Sequence, residues 1–569
     1  MMAISLFLVF ALAKLAAIWS SVPHLSPWIM LAYCWQDAAI ALAFGILAVL
    51  SGHRTRRLIT SLYWLLTVYA ALNIFVERAV FTPLTMPMIH AAGGALADSL
   101  RLYLTPVNLL LVVITMAFAF VLPQLLRNVP AAWSATLLVV VAAGLMADAH
   151  VDTHGMDRNV VIALAGDRLP EVHAAGSYTD WRHSIDSVAA DSVPNLSGSA
   201  RGMNIVMISL ESTAARYLAL YGAKEDPTPH LTALARNAMV FENAYAVYPE
   251  SIKGLYSVLC SMNPAADGEP SACDSIAAVL AHNGYRTAMF HSGRFDYLGM
   301  ESAIRNRGYE KLADAREIGG SHATSFGVDE PSTVDRMLQW IDTVPSGQRF
   351  FLTYLPIAGH HPYATPGAGP FHATNDLEQY RNALYYGDQS LGALMAGLRT
   401  RGLDRNTLWV IYGDHGEAFN QHTGNYGHTF FLYEENVHVP FVIAGPGLIV
   451  GQHRMRKVVS LIDTAPTIVD LVGLAAPRGY EGRSMLDSEP RNALFFTDYS
   501  LGLLGVRDGR WKFIDGAGSR RPELYDLDTD PGELRNVAQG NAASVGRYRE
   551  IVRGWSNARR GREISASVH

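Results

Sequence analysis

Five apolar stretches in the first quarter of the chain do most to restrict what it can fold into. They run from Ala3 to Trp19, Trp28 to Leu50, Leu58 to Val76, Val107 to Leu126 and Ala131 to Met146. A helix needs about 20 mostly apolar residues to cross the hydrocarbon core of a bilayer. It is stable there because it satisfies its own backbone hydrogen bonds. The pattern therefore predicts a five-helix transmembrane domain over residues 1–147. Between the third and fourth stretches, Met86 to Tyr103 is amphipathic and is expected to lie at the membrane interface. Lys14 falls within the first stretch, where it snorkels or faces the bundle interior.

Loop charge orients these spans. The second loop carries His53, Arg54, Arg56 and Arg57 and the fourth carries Arg127, whereas Ser21 to Pro27 holds no Lys or Arg. Positive loops stay in the cytoplasm, so an odd number of spans places everything from Asp148 onward outside it. A cleaved signal peptide is the rival reading of the first stretch; the missing basic start and the later spans argue against it. The net charge is −6 without a basic stripe, so nucleic acid is not an expected partner. Of the three cysteines, Cys34 lies in a span, while Cys260 and Cys273 lie outside. An oxidising compartment predicts a disulfide between the latter two, and no CxxC zinc motif is present.

Residues 148–200 read as a linker of small and polar residues with scattered charges. From 201 to 540 the chain alternates between strands and helices. Apolar strands are expected at Asn204–Leu210, Arg286–Phe290, Phe350–Tyr354, Thr407–Tyr412 and Phe441–Ile443, and a short one at Val240–Phe241. Helices are expected at Pro229–Asn237, Ser251–Leu259, Ser275–Asn283, Thr333–Asp342 and Leu377–Leu398. This alternation predicts an α/β fold around a largely parallel sheet covered on both faces. A smaller antiparallel sheet is expected from about Asn492, with runs at 493–497, 505–507 and 511–514, before a C-terminal helix and tail over 541–569.

The segment Leu408-Trp-Val-Ile-Tyr-Gly413-Asp414-His415-Gly-Glu417 ends an apolar run in a carboxylate and an imidazole. In open α/β sheets, ligands bind beyond the carboxyl ends of the strands. There, Asp414 and His415 offer oxygen and nitrogen to one divalent cation. Glu211, His291 and the His360-His361 pair also follow strands. Taken singly, each is explained as a satisfied core or surface residue. Polar groups gathered at one sheet edge are harder to dismiss, because burying one unpaired costs about 1–3 kcal/mol.

"NIVMISLESTAARYLALYGAKEDPTPHLTALARNAMVFENAYAVYPES", "GYRTAMFHSG", "IAGHHPY", "YGDHGE", "GHTFFLYEENVHVPFVIAGPG" and "SLIDTAPTIVDLVG" occur in that order, followed by "GRWKFIDGAGSRRPELYDLDTDPGELRNVA". Together they resemble the sulfatase and alkaline phosphatase superfamily over roughly residues 201 to 540. With spans ahead of an external domain, the membrane-anchored branch is the most similar: lipoteichoic acid synthases, phosphoglycerol transferases and phosphoethanolamine transferases. The resemblance implies an alkaline-phosphatase-like α/β/α sandwich. It places Glu211, Asp414 and His415 at metal-ligand positions and Ser251 at the nucleophile position, where it would also ligate the metal. His291, His360 and His428 fall where the branch contacts the donor phosphate or the leaving group; His422 matches less well.

The departures from the family carry information too. Arylsulfatases follow the residue oxidised to formylglycine with x-Pro-x-Arg, but this chain reads Ser251-Ile252-Lys253-Gly254-Leu255. Sulfatases pair acids after the first strand, where this chain has Glu211-Ser212. One divalent cation of the Zn²⁺ or Mn²⁺ type therefore fits better than calcium, which favours more oxygens. The arginine that follows the donor-site histidine in lipoteichoic acid synthases is replaced by Met300, with Arg294 nearby in sequence. By contrast, the ending "ELYDLDTDPGELRNVA" is closer to soluble sulfatases.

The resemblance implies a phosphotransferase in a bacterial inner membrane, with its catalytic domain on the periplasmic side. It would move a phosphoethanolamine-type or phosphoglycerol-type head group from a phospholipid donor to an envelope lipid or glycan acceptor, through phosphoserine at Ser251. A hydrolase of sulfuric or phosphoric esters on the same fold is the alternative, and a non-catalytic envelope protein the second. Ser212, Thr213 and Ser257 are the competing hydroxyls, and Ser251 is also a natural helix N-cap.

Overall fold

The computed structural model describes residues 2–18, 26–51, 55–80, 83–85, 104–148, 150–151, 153, 157–165, 181–186, 195–264, 272–321, 327–498, 502–516 and 521–567. The expected interfacial segment Met86–Tyr103, His53 and Arg54 lie outside these residues, as does much of the expected linker.

Three N-terminal helices are long and apolar enough to cross a membrane: Pro27–Leu50, Arg56–Arg78 and Pro106–Asn128. Met2–Ile18 and Ala132–Asp148 are apolar but shorter. The Thr136–Asp148 helix lies tight against the second one, since a Cβ on Gly144 would come within 2.2 Å of Trp35 Cβ. Lys14 faces inward, pairing with Asp37 at 2.8 Å and donating to Tyr33 O at 2.6 Å. A charge inside a bundle persists only when paired in this way. The domain that follows meets these helices where Val76 and Leu84 pack against a cluster containing Phe430, Phe431 and Phe495.

Strands are numbered along the chain: β1 Asn204–Leu210, β2 Ala238–Tyr245, β3 Arg286–His291, β4 Lys311–Ala313, β5 Phe350–Leu355, β6 Thr407–Gly413, β7 Ala418–Phe419, β8 Tyr426–Gly427, β9 His438–Ala444 and β10 His453–Ser460. Among the described residues, eight of them form one sheet in the order β10-β2-β9-β6-β1-β5-β3-β4, while β7 and β8 make a separate pair. β1, β5 and β6 are apolar and almost wholly buried, as strands covered on both faces must be. Only β9 runs against its neighbours. The carboxyl ends of β1, β2, β3, β5 and β6 therefore share one edge.

Two strands of this sheet were not expected from the sequence. β10, His-Arg-Met-Arg-Lys-Val-Val-Ser, is charged and exposed over its first half because it is an edge strand, and charge there discourages further pairing. β4 closes the other edge with three residues, too few to show a period.

The second sheet comprises β11 Ala493–Thr497, β12 Leu503–Asp508, β13 Trp511–Gly516 and β14 Glu523–Asp526, all antiparallel. The C-terminal helix Ala542–Ser567 lays Tyr548, Val552 and Trp555 on its Phe496 and Phe513 face. Part of the expected linker belongs to this body. Arg182 pairs with Asp463 and donates to Asn492 O at 3.2 Å, and Ile185 N donates to Asp508 at 2.9 Å. Cys260 and Cys273 form a disulfide at the end of the Ser251–Cys260 helix.

Candidate active site and metal centre

The register of two parallel strands builds the core of the site. Leu210 of β1 is paired with Gly413 of β6, so Glu211 and Asp414 leave the sheet side by side. Gly413 is required there, because a Cβ would lie 2.2 Å from Thr213 O. Ser212 follows in the left-handed region at φ 52°, a costly conformation for a residue with a side chain. Its N–H donates to Asp414 Oδ1 at 2.9 Å, and its carbonyl accepts the Tyr380 hydroxyl at 2.7 Å. These bonds hold both carboxylates in place.

Ser251 arrives from β2. Glu250 is the N-cap, accepting from Ile252 N at 2.9 Å and Lys253 N at 3.2 Å. Ser251 is thus the first helical residue rather than the cap, and its hydroxyl is spare. Glu250 thereby occupies the Ile252 and Lys253 amides at the start of the helix. Ser251 Oγ lies 2.8 Å from Asp414 Oδ2, 3.1 Å from Glu211 Oε2 and 3.1 Å from His415 Nε2. Each competing hydroxyl has its own partner, and none is bonded to Asp414 or His415 among the described residues. Ser212 Oγ donates to Glu211 Oε1 at 3.0 Å, Thr213 Oγ1 to Glu211 O at 3.0 Å, and Ser257 is sealed in the core against Lys253 O.

Glu211, Asp414 and His415 can together hold a metal ion. All three are buried. His415 donates through Nδ1 to Gly416 O at 2.9 Å, leaving the Nε2 lone pair toward Ser251. Burial, then the neighbouring Asp414, pushes the Glu211 carboxyl up to about 8. Two buried acids whose charges oppose each other are a donor set that a divalent cation completes. A second possible group, His415, Glu417 and His428, shares the imidazole. There, however, Glu417 and His428 are already bonded to each other at 2.7 Å.

The histidines surround this centre unevenly. His428 and His415 lie ring to ring, with centroids 4.1 Å apart, and His360 is 6.3 Å from His428. His360 is fixed by Nδ1 to His361 O at 2.7 Å; burial and then His428 push its pKa down to about 4, so it is neutral at physiological pH. His291 closes β3 on the same edge, two strands from β1. Its Nδ1–H donates to Leu355 O at 2.9 Å, its ring stacks on Phe295, and burial lowers its proton affinity. His422 does not join them. Its nitrogens bond Glu435 at 2.6 Å and Glu533 O at 3.1 Å, and its ring stacks on Tyr433. Met300, at the lipoteichoic arginine position, is buried in the core.

Sequence reasoning missed several supporting residues. Glu417 lay in the quoted motif, three residues past Asp414, without a role; in the fold it orients His428. Glu330, the first residue of the Glu330–Ile341 helix, was not singled out. It accepts from Ser292 Oγ at 2.9 Å, Ile357 N at 2.9 Å, Ala358 N at 3.0 Å and the Tyr354 hydroxyl, thereby fixing the loop that leads to His360. Lys253 meets Asp498 at 2.8 Å, tying the Ser251 helix to the small sheet. No local sequence signal marks a partner 245 residues away.

Known proteins resemble this chain in sequence and in fold. A sulfatase family profile matches residues 203–474, and a profile for the C-terminal region of N-sulphoglucosamine sulphohydrolase matches residues 424–547. Arylsulfatase K of Bos taurus is 25% identical over 484 residues, covering 67% of this chain and 88% of that protein. Among solved structures, the lipoteichoic acid synthase LtaP of Listeria monocytogenes aligns with a TM-score of 0.54 at 18% identity, over 66% of this chain and 95% of that one. An alkaline phosphatase superfamily protein from Vibrio parahaemolyticus gives 0.54 at 18% identity, over 67% and 93%. At such identities the structural matches speak to the fold.

Proposed function

Since the chain is an enzyme that belongs to the sulfatase and alkaline phosphatase superfamily, we propose that it is a metal-dependent hydrolase of sulfuric or phosphoric esters with Ser251 as its nucleophile. One observation carries this reading: Ser251 Oγ sits within 3.1 Å of Glu211, Asp414 and His415 at once. The similarity to arylsulfatase K supports hydrolysis over transfer.

Glu211, Asp414 and His415 would hold the cation, Zn²⁺ or Mn²⁺ by donor type. When bound, it would lower the pKa of the Ser251 hydroxyl and offset charge on a non-bridging oxygen. Ser251 Oγ attacks the phosphorus or sulfur, the bond to the leaving oxygen breaks, and that oxygen takes a proton from His428. Glu417 keeps the His428 ring aimed for this transfer. His360 and His291 position the remaining oxygens. Water then attacks the serine ester with His428 as base, freeing Ser251 and releasing the acid.

Transfer is the second reading, and a specific observation favours it. The loop after His428 supplies Phe430 and Phe431 to the apolar cluster against which Val76 and Leu84 of the apolar N-terminal part pack, so this cluster joins the loop to the membrane-type helices. Under this reading the donor is a phospholipid and the acceptor an envelope lipid or glycan. The chain then crosses a bacterial cell membrane five times with its catalytic part outside. Absence of the x-Pro-x-Arg run after Ser251 also fits a plain serine rather than formylglycine.

One experiment separates the two. The metal-loaded full chain is incubated with an aryl sulfate, an aryl phosphate and mixed phospholipids, and its intact mass and released products are followed. Hydrolysis of an aryl ester in water, with a transient adduct on Ser251, is the expected result. An adduct formed from phospholipid alone, discharged only by an added acceptor, would replace hydrolysis with transfer. No adduct and no turnover would refute both.

A further inference from the structure

Between the β2–β9–β10 side of the large sheet and the small sheet lies a groove of about 1250 Å³, lined by none of the residues gathered around Ser251. Five arginines reach it: Arg216, Arg454, Arg456, Arg507 and Arg510. Four have carboxylate partners. Arg216 meets Glu435 at 3.1 Å, Arg454 and Arg456 share Glu242, and Arg510 pairs with Asp526.

Arg507 differs. It belongs to β12, in the interior of the small sheet, and is 5% exposed. Among the described residues no carboxylate lies within ion-pair reach of it. Its Nη1 donates to Arg510 O at 2.9 Å, and its Nε–H has no acceptor among the described residues. Glu434, the acid whose field it feels, is committed to Lys512 at 3.0 Å and His438 at 3.1 Å. A buried guanidinium without a carboxylate is unfavourable unless something anionic completes it.

The other walls narrow the class of ligand. Asp186, Asp528 and Asn243 offer acceptors beside the guanidinium donors, as do Glu242 and Glu434, and Tyr221, Leu527 and Pro531 add apolar surface. Such a wall suits hydroxyls, which both donate and accept, and leaves little for an acyl chain. The groove opens near the reactive edge. His438 at the start of β9 faces Tyr245 at the end of β2, and the carbonyl of Glu435 is packed against Gly416.

We propose that this groove binds an acidic glycan, with a carboxylate, sulfate or phosphate substituent seated on Arg507 and the chain hydroxyls on the mixed wall. The site is separate from the ester-cleaving centre, and its occupancy does not depend on the reaction proposed above.

Calorimetry on the full chain in detergent tests this with four probes: dextran sulfate oligosaccharide, hyaluronan oligosaccharide, neutral dextran of the same length and inorganic sulfate. Both acidic oligosaccharides should bind saturably, and neutral dextran at least tenfold more weakly. Arg507→Gln should weaken the acidic probes at least tenfold, while Ser251→Ala binds them as wild type does. Arg456→Glu reverses a charge at the rim on a side chain 84% exposed, so it leaves the fold intact and should weaken them several-fold. If Arg507→Gln does not fold, this second variant decides alone. Unchanged affinity in the folded variants, equal affinity for neutral dextran, or no binding of either acidic chain would overturn the proposal. Inorganic sulfate binding as tightly as the sulfated chain would overturn the glycan assignment.

Discussion

Glu417 Oε2 accepts the Nδ1–H of His428 at 2.7 Å, while its other oxygen accepts the Tyr363 hydroxyl at 2.6 Å. A buried carboxylate held from both sides fixes the tautomer of the imidazole and turns Nε2 away from it. Glu417→Gln should therefore lower turnover on the order of 10²-fold or more, the range of general acid–base catalysis. Metal content should stay near wild type, since Ser251, Glu211, Asp414 and His415 are untouched. Steady-state kinetics alongside elemental analysis checks this; unaltered turnover would remove His428 from proton transfer.

The acid pair predicts metal linkage. Asp414→Ala removes one acceptor of Ser251 and one of the proposed ligands, so bound metal and activity should fall together. Chelation of the wild type should lower its melting temperature, because a ligand bound only by the folded state stabilises it. Asp414→Ala should lose that response to the chelator. Full metal content in the variant would exclude Asp414 as a ligand.

The loop below His360 predicts a pH effect. Burial pushes Glu330 up to about 7 against the ordinary 4.5, outweighing four hydrogen-bond donors. A carboxyl with a raised folded-state pKa contributes stability that is complete below the unfolded value and is lost as pH rises through the folded one. Glu330→Gln mimics the neutral form. Its stability deficit against wild type should be largest near pH 4.5 and shrink toward pH 7, as denaturant titrations at several pH values will read. A deficit that grows with pH would contradict this account of Glu330.

Much of this was legible in the sequence because the core is made of local patterns. Asn204–Leu210 was bounded to the residue, since an apolar run buried on both faces ends sharply at Glu211. Ser251, Glu211, Asp414 and His415 were grouped by resemblance, and the fold brings them together. What escaped was non-local. β10 hid behind edge charges, Glu330 acts through a loop 27 residues on, and the pairing of Arg182 with Asp463 bridges 281 positions. The residue types favoured Ser251 as the helix cap, whereas the geometry assigns the cap to Glu250.

The arrangement of apolar helices yields a topology test. Three helices have spanning length and two are shorter, with Arg56 and Arg57 at the start of the third N-terminal helix and Arg127 in the last turn of the fourth. A five-span arrangement places Arg57 in the cytoplasm and the sheet outside. Reporter fusions after Arg57 and after Leu196 should report opposite compartments; matching signals would exclude an odd number of crossings between Arg57 and Leu196.

The most direct test of the account is Ser251→Ala, followed for turnover, covalent labelling and bound metal in one preparation. Ser251 Oγ is surrounded by the Glu211, Asp414 and His415 ligand atoms. The predicted result is loss of turnover and of the serine adduct, with metal content and melting temperature nearly unchanged and partial activity restored in Ser251→Thr. Near-normal turnover in Ser251→Ala, or an adduct that maps to Ser212, Thr213 or Ser257, would contradict it.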